Sequence, residues 1–206
     1  MEKIMQNFSG SNIQDESFVN LDLTKQLIDK LTLTNCIFTA CHFTETIFTA
    51  CLIENCRFIN CDLSLMKMPQ THFKETKFKD CRMMGINWCL ADWEARSLII
   101  KKRVGFENCL LNHSIFSGLD LTETQFVQCK ALHLDFEGAN LTKTVFRRSD
   151  LEGTLFLKCD LSEADFVGAV NYSIDASQNK LHKTRFSLPE AIALLHSLDI
   201  LLEDDD

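Results

Sequence analysis

The chain has 206 residues and a formal net charge of −8, and 46% of its residues are hydrophobic. This composition excludes a disordered chain, and the acidic balance argues against a protein that coats nucleic acid with Lys and Arg. No apolar run approaches the length of a membrane span, about 18 residues, and the first residues lack the apolar core of a signal peptide. We therefore expect a cytoplasmic protein with no membrane contact and no direct binding to nucleic acid.

Phenylalanine follows a period of five residues along the chain. The first frame of this period contains Phe8, Phe18, Phe38, Phe43, Phe48, Phe58, Phe73 and Phe78, and the second contains Phe106, Phe116, Phe126, Phe136, Phe146, Phe156, Phe166 and Phe186. A period of five fits neither an α-helix nor a flat strand. It predicts a chain that turns a corner every five residues, so that four corners close a coil of about 20 residues. Phe residues twenty positions apart, which are every second Phe of the second frame, should then stack on one face.

The position two residues before each repeat centre is small. Nine of the ten cysteines lie there, and Cys89 is the exception. Side-by-side stacking does not give the torsion that a disulfide needs, so we interpret these thiols as small apolar fillers in a reducing compartment. No Cys-x-x-Cys pair indicates a zinc site, and we expect no metal and no cofactor.

Local motifs connect this period to a known family. Cys61-Asp62-Leu63-Ser64-Leu65, Ala139-Asn140-Leu141-Thr142-Lys143 and Cys159-Asp160-Leu161-Ser162-Glu163 resemble the A(D/N)LXX motif of the pentapeptide-repeat family. The resemblance implies an all-β solenoid, a right-handed quadrilateral β-helix. Stretches outside the motif resemble the members that confer albicidin self-resistance, a group with the microcin B17 immunity and Qnr-type quinolone-resistance proteins: Leu63–Phe73, Met84–Trp88, Ala169–Asp175 and Arg185–Ala191. This closer resemblance implies a cytoplasmic homodimer, joined through its C-terminal ends, that binds DNA gyrase or topoisomerase IV and protects it from topoisomerase poisons.

The repeat is interrupted once. From Trp93 to Phe106 the frame slips by three residues. We divide the chain into an irregular N-terminal cap and first coil (1–30), a first half of the β-helix (31–93), a break formed by a loop or short helix (94–105), a second half (106–186), and a C-terminal helix with an acidic tail (187–206). The break is either a simple connection or, through Lys101, Lys102 and Arg103, a contact with a partner.

The C-terminal segment carries a helix signal. Ser187 and Glu190 form a capping box around Pro189, which predicts a short helix from Ala191 to Leu198. Its apolar residues exceed one stripe, so the helix either closes the open end of the solenoid or pairs with a second copy. The candidate dimerisation residues are Phe186, Leu188, Ile192, Leu195, Leu198 and Ile200.

Acidic residues recur at outward positions of the second half. Asp120, Asn140 and Asp160 share one row, and Glu123, Lys143 and Glu163 share another. Such rows either keep a rod with an apolar interior soluble, or imitate the phosphates of a DNA segment and so bind a basic groove of another protein. Under the second interpretation Asp120, Glu123, Asp160 and Glu163 contact a topoisomerase.

Catalytic motifs are missing from the sequence. No G-x-S-x-G, Gly-rich phosphate loop or H-E-x-x-H occurs, and the inward positions are apolar. His113 and His133 occupy equivalent outward positions, which we interpret as a surface pair rather than a metal site. The sequence therefore favours a non-enzyme. One hypothesis is a DNA-mimicking protein that protects a type IIA topoisomerase, and the alternative is an interaction scaffold with an unrelated partner.

Overall fold

The computed structural model describes residues 8–93 and 104–198. Its strands are β1 (Asn12–Gln14), β2 (Ser17–Val19), β3 (Leu27–Asp29), β4 (Thr32–Thr34), β5 (Ile37–Thr39), β6 (Ile47–Thr49), β7 (Leu52–Glu54), β8 (Arg57–Ile59), β9 (His72–Lys74), β10 (Thr76–Lys79), β11 (Val104–Glu107) and β12 (Gln125–Val127). Two 3₁₀ helices span Trp88–Leu90 and Glu190–Leu198.

These strands build a coil with four faces, and each face is a ladder of parallel pairs. The first face holds β1, β4, β7 and β9 and continues through bridges from Asp120 to Lys180. The second face holds β2, β5, β8, β10, β11 and β12. The third face consists of bridges from Asp22 to Val170, and the fourth holds β3 and β6 with bridges onward to Leu155. This arrangement confirms the all-β solenoid of a quadrilateral β-helix.

The corners of the coil need left-handed backbone at every fifth residue. Asn35 has φ 55° and Asn55 has φ 50°, a region that Asn tolerates better than most residues. The corner side chains also bond to one another along the rod. Asn55 Nδ2 donates to Asn35 Oδ1 at 2.8 Å, and Asn35 Nδ2 donates to Asp15 Oδ1 at 2.8 Å. Amide residues at the corners therefore stabilise both the turn and the stacking of coils.

Aromatic rings fill the interior in two parallel stacks. Behind the second face successive ring centroids lie 4.8 to 5.5 Å apart, and the stack contains Phe18, Phe38, Phe58, Phe78, Phe106, Phe126, Phe146, Phe166 and Phe186. Behind the fourth face Trp88, Phe116, Phe136 and Phe156 stack at 5.3 to 5.5 Å. The two stacks meet edge to face, the geometry that the ring quadrupole favours. The stacking predicted from the period is confirmed.

The small inward residues satisfy backbone carbonyls that the stacking of coils leaves available. Thr46 Oγ1 donates to Leu23 O at 2.6 Å, and Ser149 Oγ donates to Phe126 O at 2.8 Å. Cysteine does the same more weakly. Burial raises the pKa of the Cys56 thiol to about 12 and that of Cys159 to about 11, so these thiols stay neutral. Nine of the ten cysteines are buried and unbridged, as fillers should be.

The interruption leaves the stack intact. Phe78 pairs with Phe106 in register, and Asn108 Nδ2 donates to Asp80 Oδ1 at 2.7 Å, so partners here are 28 residues apart instead of 20. The coils before and after the interruption therefore stack directly on one another. β11 resumes at Val104, inside the predicted break. Lys101, Lys102 and Arg103 lie outside the described residues.

The first coil is regular from residue 8 onward, which corrects the expectation of an irregular cap. β1, β2 and β3 pair in register with β4, β5 and β6. The regular first coil was not predicted from the sequence, because few of its inward positions carry Phe. Hydrogen bonds to the next coil fix the backbone whatever the size of the inward side chain.

The C-terminal end departs from the strict repeat. Phe156 pairs with Ile174 and not with a residue twenty positions on, and Tyr172 turns inward against Phe166 and Phe186 at 5.6 and 5.7 Å. The predicted helix is present within Glu190–Leu198, as a 3₁₀ helix. The predicted capping box is wrong, because the Ser187 hydroxyl instead accepts a hydrogen bond from Gly168 N at 3.0 Å.

Candidate partner-binding surfaces

The structure brings the four predicted acidic residues together on the first face. Asp120, Asn140 and Asp160 form one row of bridged residues. Glu123, Lys143 and Glu163 form the neighbouring corner row, and all three have positive φ. Neighbouring levels of such a ladder are about 4.8 Å apart, so the two carboxylates of each row, which lie two levels apart, are held at about twice that distance.

Asp120 has a structural role as well as a charge. Its Oδ1 accepts hydrogen bonds from Thr122 N at 3.1 Å, Thr122 Oγ1 at 2.6 Å and Asn140 Nδ2 at 3.1 Å. These contacts hold the turn that follows the bridge. Asparagine can accept the same bonds without the charge, so Asp120→Asn is a better probe of this surface than a charge reversal.

Asp160 is held in its charged form. Hydrogen bonds from the side chain and backbone of Ser162, together with Lys180, keep the pKa of Asp160 below its usual range in spite of partial burial. The Lys180 ammonium lies 3.2 Å from Asp160 Oδ2. The carboxylate therefore stays ionised to a lower pH than an ordinary Asp, and its charge is partly balanced by a base on the same row.

Bases interrupt both acidic rows. Lys180 ends the row of Asp120 and Asp160, and Lys143 lies between Glu123 and Glu163 with its Nζ 3.9 Å from Glu163 Oε2. Over its whole described length, however, the first face remains acidic. Its outward acids are Asp15, Glu54, Glu75, Asp92, Asp120, Glu123, Asp160 and Glu163, and its outward bases are Lys74, Lys143, Lys180 and Lys183.

The acidic surface extends further toward the N-terminus than the sequence analysis recognised. Asp92 Oδ2 lies 2.8 Å from His72 Nε2, and Glu54 forms an ion pair with Lys74. Residues on one face recur every 20 positions, or every 28 positions across the break. Grouping the outward residues by this spacing would have placed these acids on the same face as Asp120.

The second face has the opposite sign, which the sequence analysis missed. Its outward bases are Arg57, Lys77, Lys79, Arg147, Arg148 and Arg185, and its acids are Asp80, Glu107, Asp165 and the exposed Glu16. A basic strip therefore runs beside the acidic first face. The net charge of the whole chain hides it.

One carboxylate on this basic face is nearly buried. Asp165 is 6% exposed and lies between Arg147, whose Nη2 is 2.6 Å from Oδ2, and Arg185, whose Nη1 is 3.1 Å from the same atom. Burial by itself would raise the pKa of Asp165, but the hydrogen bond from Arg147, the Val167 N–H and both guanidinium charges outweigh it and lower the pKa. Asp165 therefore links its own coil to the coils on either side of it.

The C-terminal end exposes apolar side chains. Leu188 is 78% exposed, Ile192 44% and Leu195 36%, whereas Phe186 is half-buried against Phe166 at 5.2 Å. The side chain of Leu198, and the whole of Ile200, lie outside the described residues. Three of the six predicted dimerisation residues are thus exposed apolar side chains at the C-terminal end of the coil.

The described residues contain neither a candidate metal centre nor a candidate membrane-spanning helix. Within residues 8–93 and 104–198 no group of three or more His, Cys, Asp and Glu side chains could hold a metal ion. His113 and His133 stack at 5.1 Å on the third face, as a surface pair. In the same part of the chain, no helix has the length and apolar character to cross a bilayer.

Comparison with known proteins identifies the class. The family model of the pentapeptide repeat region matches residues 31–100 and 99–178, and the chain belongs to the pentapeptide-repeat family. A solved structure of a trypsin-treated variant of QnrB1, described as a plasmid-mediated fluoroquinolone resistance protein, superposes with a TM-score of 0.70 at 16% identity, covering 96% of this chain and 92% of that one. The structure of a second trypsin-treated QnrB1 variant gives 0.69 at 15% identity, covering 94% and 100%. At these identities the likeness shows the shared fold. A search of curated protein sequences gave no significant match.

Proposed function

We propose that this protein is a non-enzymatic partner of DNA gyrase or topoisomerase IV. It occupies the DNA-binding surface of the topoisomerase through its first face and protects the enzyme from poisons of the quinolone or albicidin type. It works in the cytoplasm as a homodimer, without a cofactor and without contacting nucleic acid itself.

The observation that carries this proposal is the rigid acidic first face. Its carboxylates are fixed to a β-helix at multiples of the spacing of neighbouring strands. A basic groove built for the phosphates of DNA attracts such an array at long range and orients it before contact. The fold shared with QnrB1, which is described as a fluoroquinolone resistance protein, also supports a role in protection from topoisomerase poisons.

The alternative is an interaction scaffold for an unrelated protein. Lys143, Lys180 and Lys183 on the first face favour it, because a surface of mixed sign suits a partner that also carries both charges. Both candidates share the fold and differ in the partner, so a topoisomerase assay separates them.

A gyrase supercoiling and cleavage assay with a fluoroquinolone and with albicidin tests the proposal. We expect the protein to rescue supercoiling from a drug at low concentration and to inhibit it at high concentration. The double variant Glu123→Gln/Glu163→Gln should need about tenfold more protein for the same rescue, because it removes two charges from the first face. A matched variant on the third face, Glu45→Gln/Glu152→Gln, should behave as the parent does. Equal activity of both variants would remove the first face from the interface, and no effect on either enzyme would favour the scaffold.

We propose that the dimer forms through the apolar patch of Leu188, Ile192 and Leu195. Burying these side chains against a second copy would remove them from water and cover the open end of the last coil. Sedimentation velocity should give a dimer for the parent and a monomer for Leu188→Glu, whose far-ultraviolet spectrum should be unchanged. A Leu188→Glu dimer, or a monomeric parent, would place the contact elsewhere or exclude it.

A further inference from the structure

We propose that a groove on the second face is a docking surface for an extended acidic segment of a partner protein, with one apolar side chain of that segment seated in a notch over Gly105. The groove lies on a different face from the surface assigned above to the topoisomerase. The proposal therefore does not depend on the topoisomerase assignment.

The notch exists because a side chain is missing from one row of the ladder. Gly105 pairs with Lys77 on one side and with Gln125 on the other, so it occupies an outward position where its neighbours carry long side chains. A Cβ atom at Gly105 would have no atom within 4 Å. Gly105 is also the one glycine of the described residues whose φ is not positive, so the backbone does not require glycine there. The open space is thus a feature of the surface and not a demand of the turn.

The walls of this notch combine apolar contact with positive charge. It opens into a groove of about 510 Å³ that is lined by Arg57, Ile59, Lys77, Lys79 and Val127, among others. Ile59 and Val127 are partly exposed and give the floor its apolar character. Lys79 is paired with Glu107 at 2.7 Å. Arg57 and Lys77 are exposed, and no carboxylate of the described residues lies within ion-pair distance of either.

An isolated pair of cations beside an apolar floor is complementary to carboxylates that flank an apolar side chain. An acidic peptide segment supplies this arrangement in an extended conformation, where side chains follow one another every 3.3 Å or so along the chain. It also brings the negative charge that a basic face attracts in an otherwise acidic protein.

A DNA duplex fits this surface less well. Glu75 and Glu123 border an adjoining hollow that shares Lys77, Gly105 and Gln125 with the notch, so carboxylates lie beyond the notch on the side of the first face. A duplex is much wider than one face and carries a phosphate charge for every 1.7 Å or so of its axis, which would oppose those acids. A single extended chain can lie along the second face alone.

Fluorescence anisotropy with a labelled ten-residue peptide of Asp and Glu that carries one central Leu tests the proposal on the full chain at low salt. We expect saturable binding that weakens about tenfold in Arg57→Glu/Lys77→Glu. It should remain unchanged in Lys130→Glu/Lys158→Glu, which makes the same change in net charge on the third and fourth faces. Equal loss in both double variants would mean binding to net charge alone and would overturn the proposal.

A substitution that fills the notch distinguishes binding of an apolar side chain in the groove from attraction by charge alone. Gly105→Val should fold with at least the parent's thermal stability, since valine suits a strand and meets no neighbour. It should abolish the preference of the parent for the Leu peptide over a peptide with Ser at that position. A preference that survives in Gly105→Val would exclude the notch. Tighter binding of a short DNA duplex than of the peptide, lost in Arg57→Glu/Lys77→Glu, would assign the face to nucleic acid and overturn the proposal.

Discussion

Replacing Phe136 by alanine is expected to lower the free energy of unfolding by about 3–5 kcal/mol. The ring is fully buried and stacks between Phe116 at 5.3 Å and Phe156 at 5.5 Å. It also meets Phe126 edge to face at 5.6 Å. The neighbours belong to a continuous stack that cannot collapse into the space without breaking its own contacts, so the cavity should stay open. Equilibrium unfolding in urea measures the change.

Leu155→Ala is the matched control for this substitution. Leu155 lies one coil above Phe136, and the Phe136 N–H donates a hydrogen bond to Leu155 O at 3.1 Å. The Leu155 side chain, however, is 44% exposed. A surface truncation of this kind should cost about 0.5 kcal/mol or less. Similar costs for the two variants would mean that Phe136 does not occupy the interior and that the inward frame is wrong.

Asp165→Asn should have the second largest effect, lowering the free energy of unfolding at neutral pH by about 1–3 kcal/mol. The carboxylate is nearly buried and both Arg147 and Arg185 lie within 3.1 Å of it. The amide cannot match the charge-assisted bonds. Glu163→Gln, which loses a half-exposed contact of 3.9 Å with Lys143, should cost about 0.5 kcal/mol or less.

The pH dependence of the Asp165 effect has a definite sign. The pKa of Asp165 is lowered in the folded protein, so its contribution to stability is fully present above the unfolded value of about 3.9 and is lost as the pH falls through the lower folded value. The difference in stability between the parent and Asp165→Asn should therefore be largest near neutral pH and shrink below about pH 4. A difference that stays constant as the pH falls from neutral through this range would show that charge is not the cause.

The period of the sequence was enough to predict a coil and its inward positions, because one five-residue unit recurs along the chain, whereas the quadrilateral β-helix was implied by the resemblance to the pentapeptide-repeat family. A large apolar residue at each centre and a small one two positions earlier fix which side chains point inward. The strands that pair Phe18 with Phe38, and Phe38 with Phe58, follow directly. The inward positions could be predicted on both sides of the break, because Phe106 continues the stack on Phe78.

The surface was harder to predict, because it depends on neighbours from different coils. The rows of Asp120 and Glu123, including Lys143, were predicted from the twenty-residue spacing, but Lys180, which pairs with Asp160, comes from a later coil. The burial of Asp165 follows from two arginines that flank it 18 and 20 residues away, and no local motif announces it. The role of Ser187 likewise depends on Gly168 of the preceding coil. Composition along the chain does not show such contacts.

Competition with DNA tests most directly the claim that the first face takes the place of DNA on a topoisomerase. The affinity of gyrase for the labelled full-length protein is measured with and without a saturating DNA duplex. We predict binding that saturates without DNA and is lost in the presence of saturating DNA, with Glu123→Gln/Glu163→Gln binding more weakly than the parent. Binding that is unchanged by saturating DNA, or no binding to gyrase and topoisomerase IV, would contradict the account.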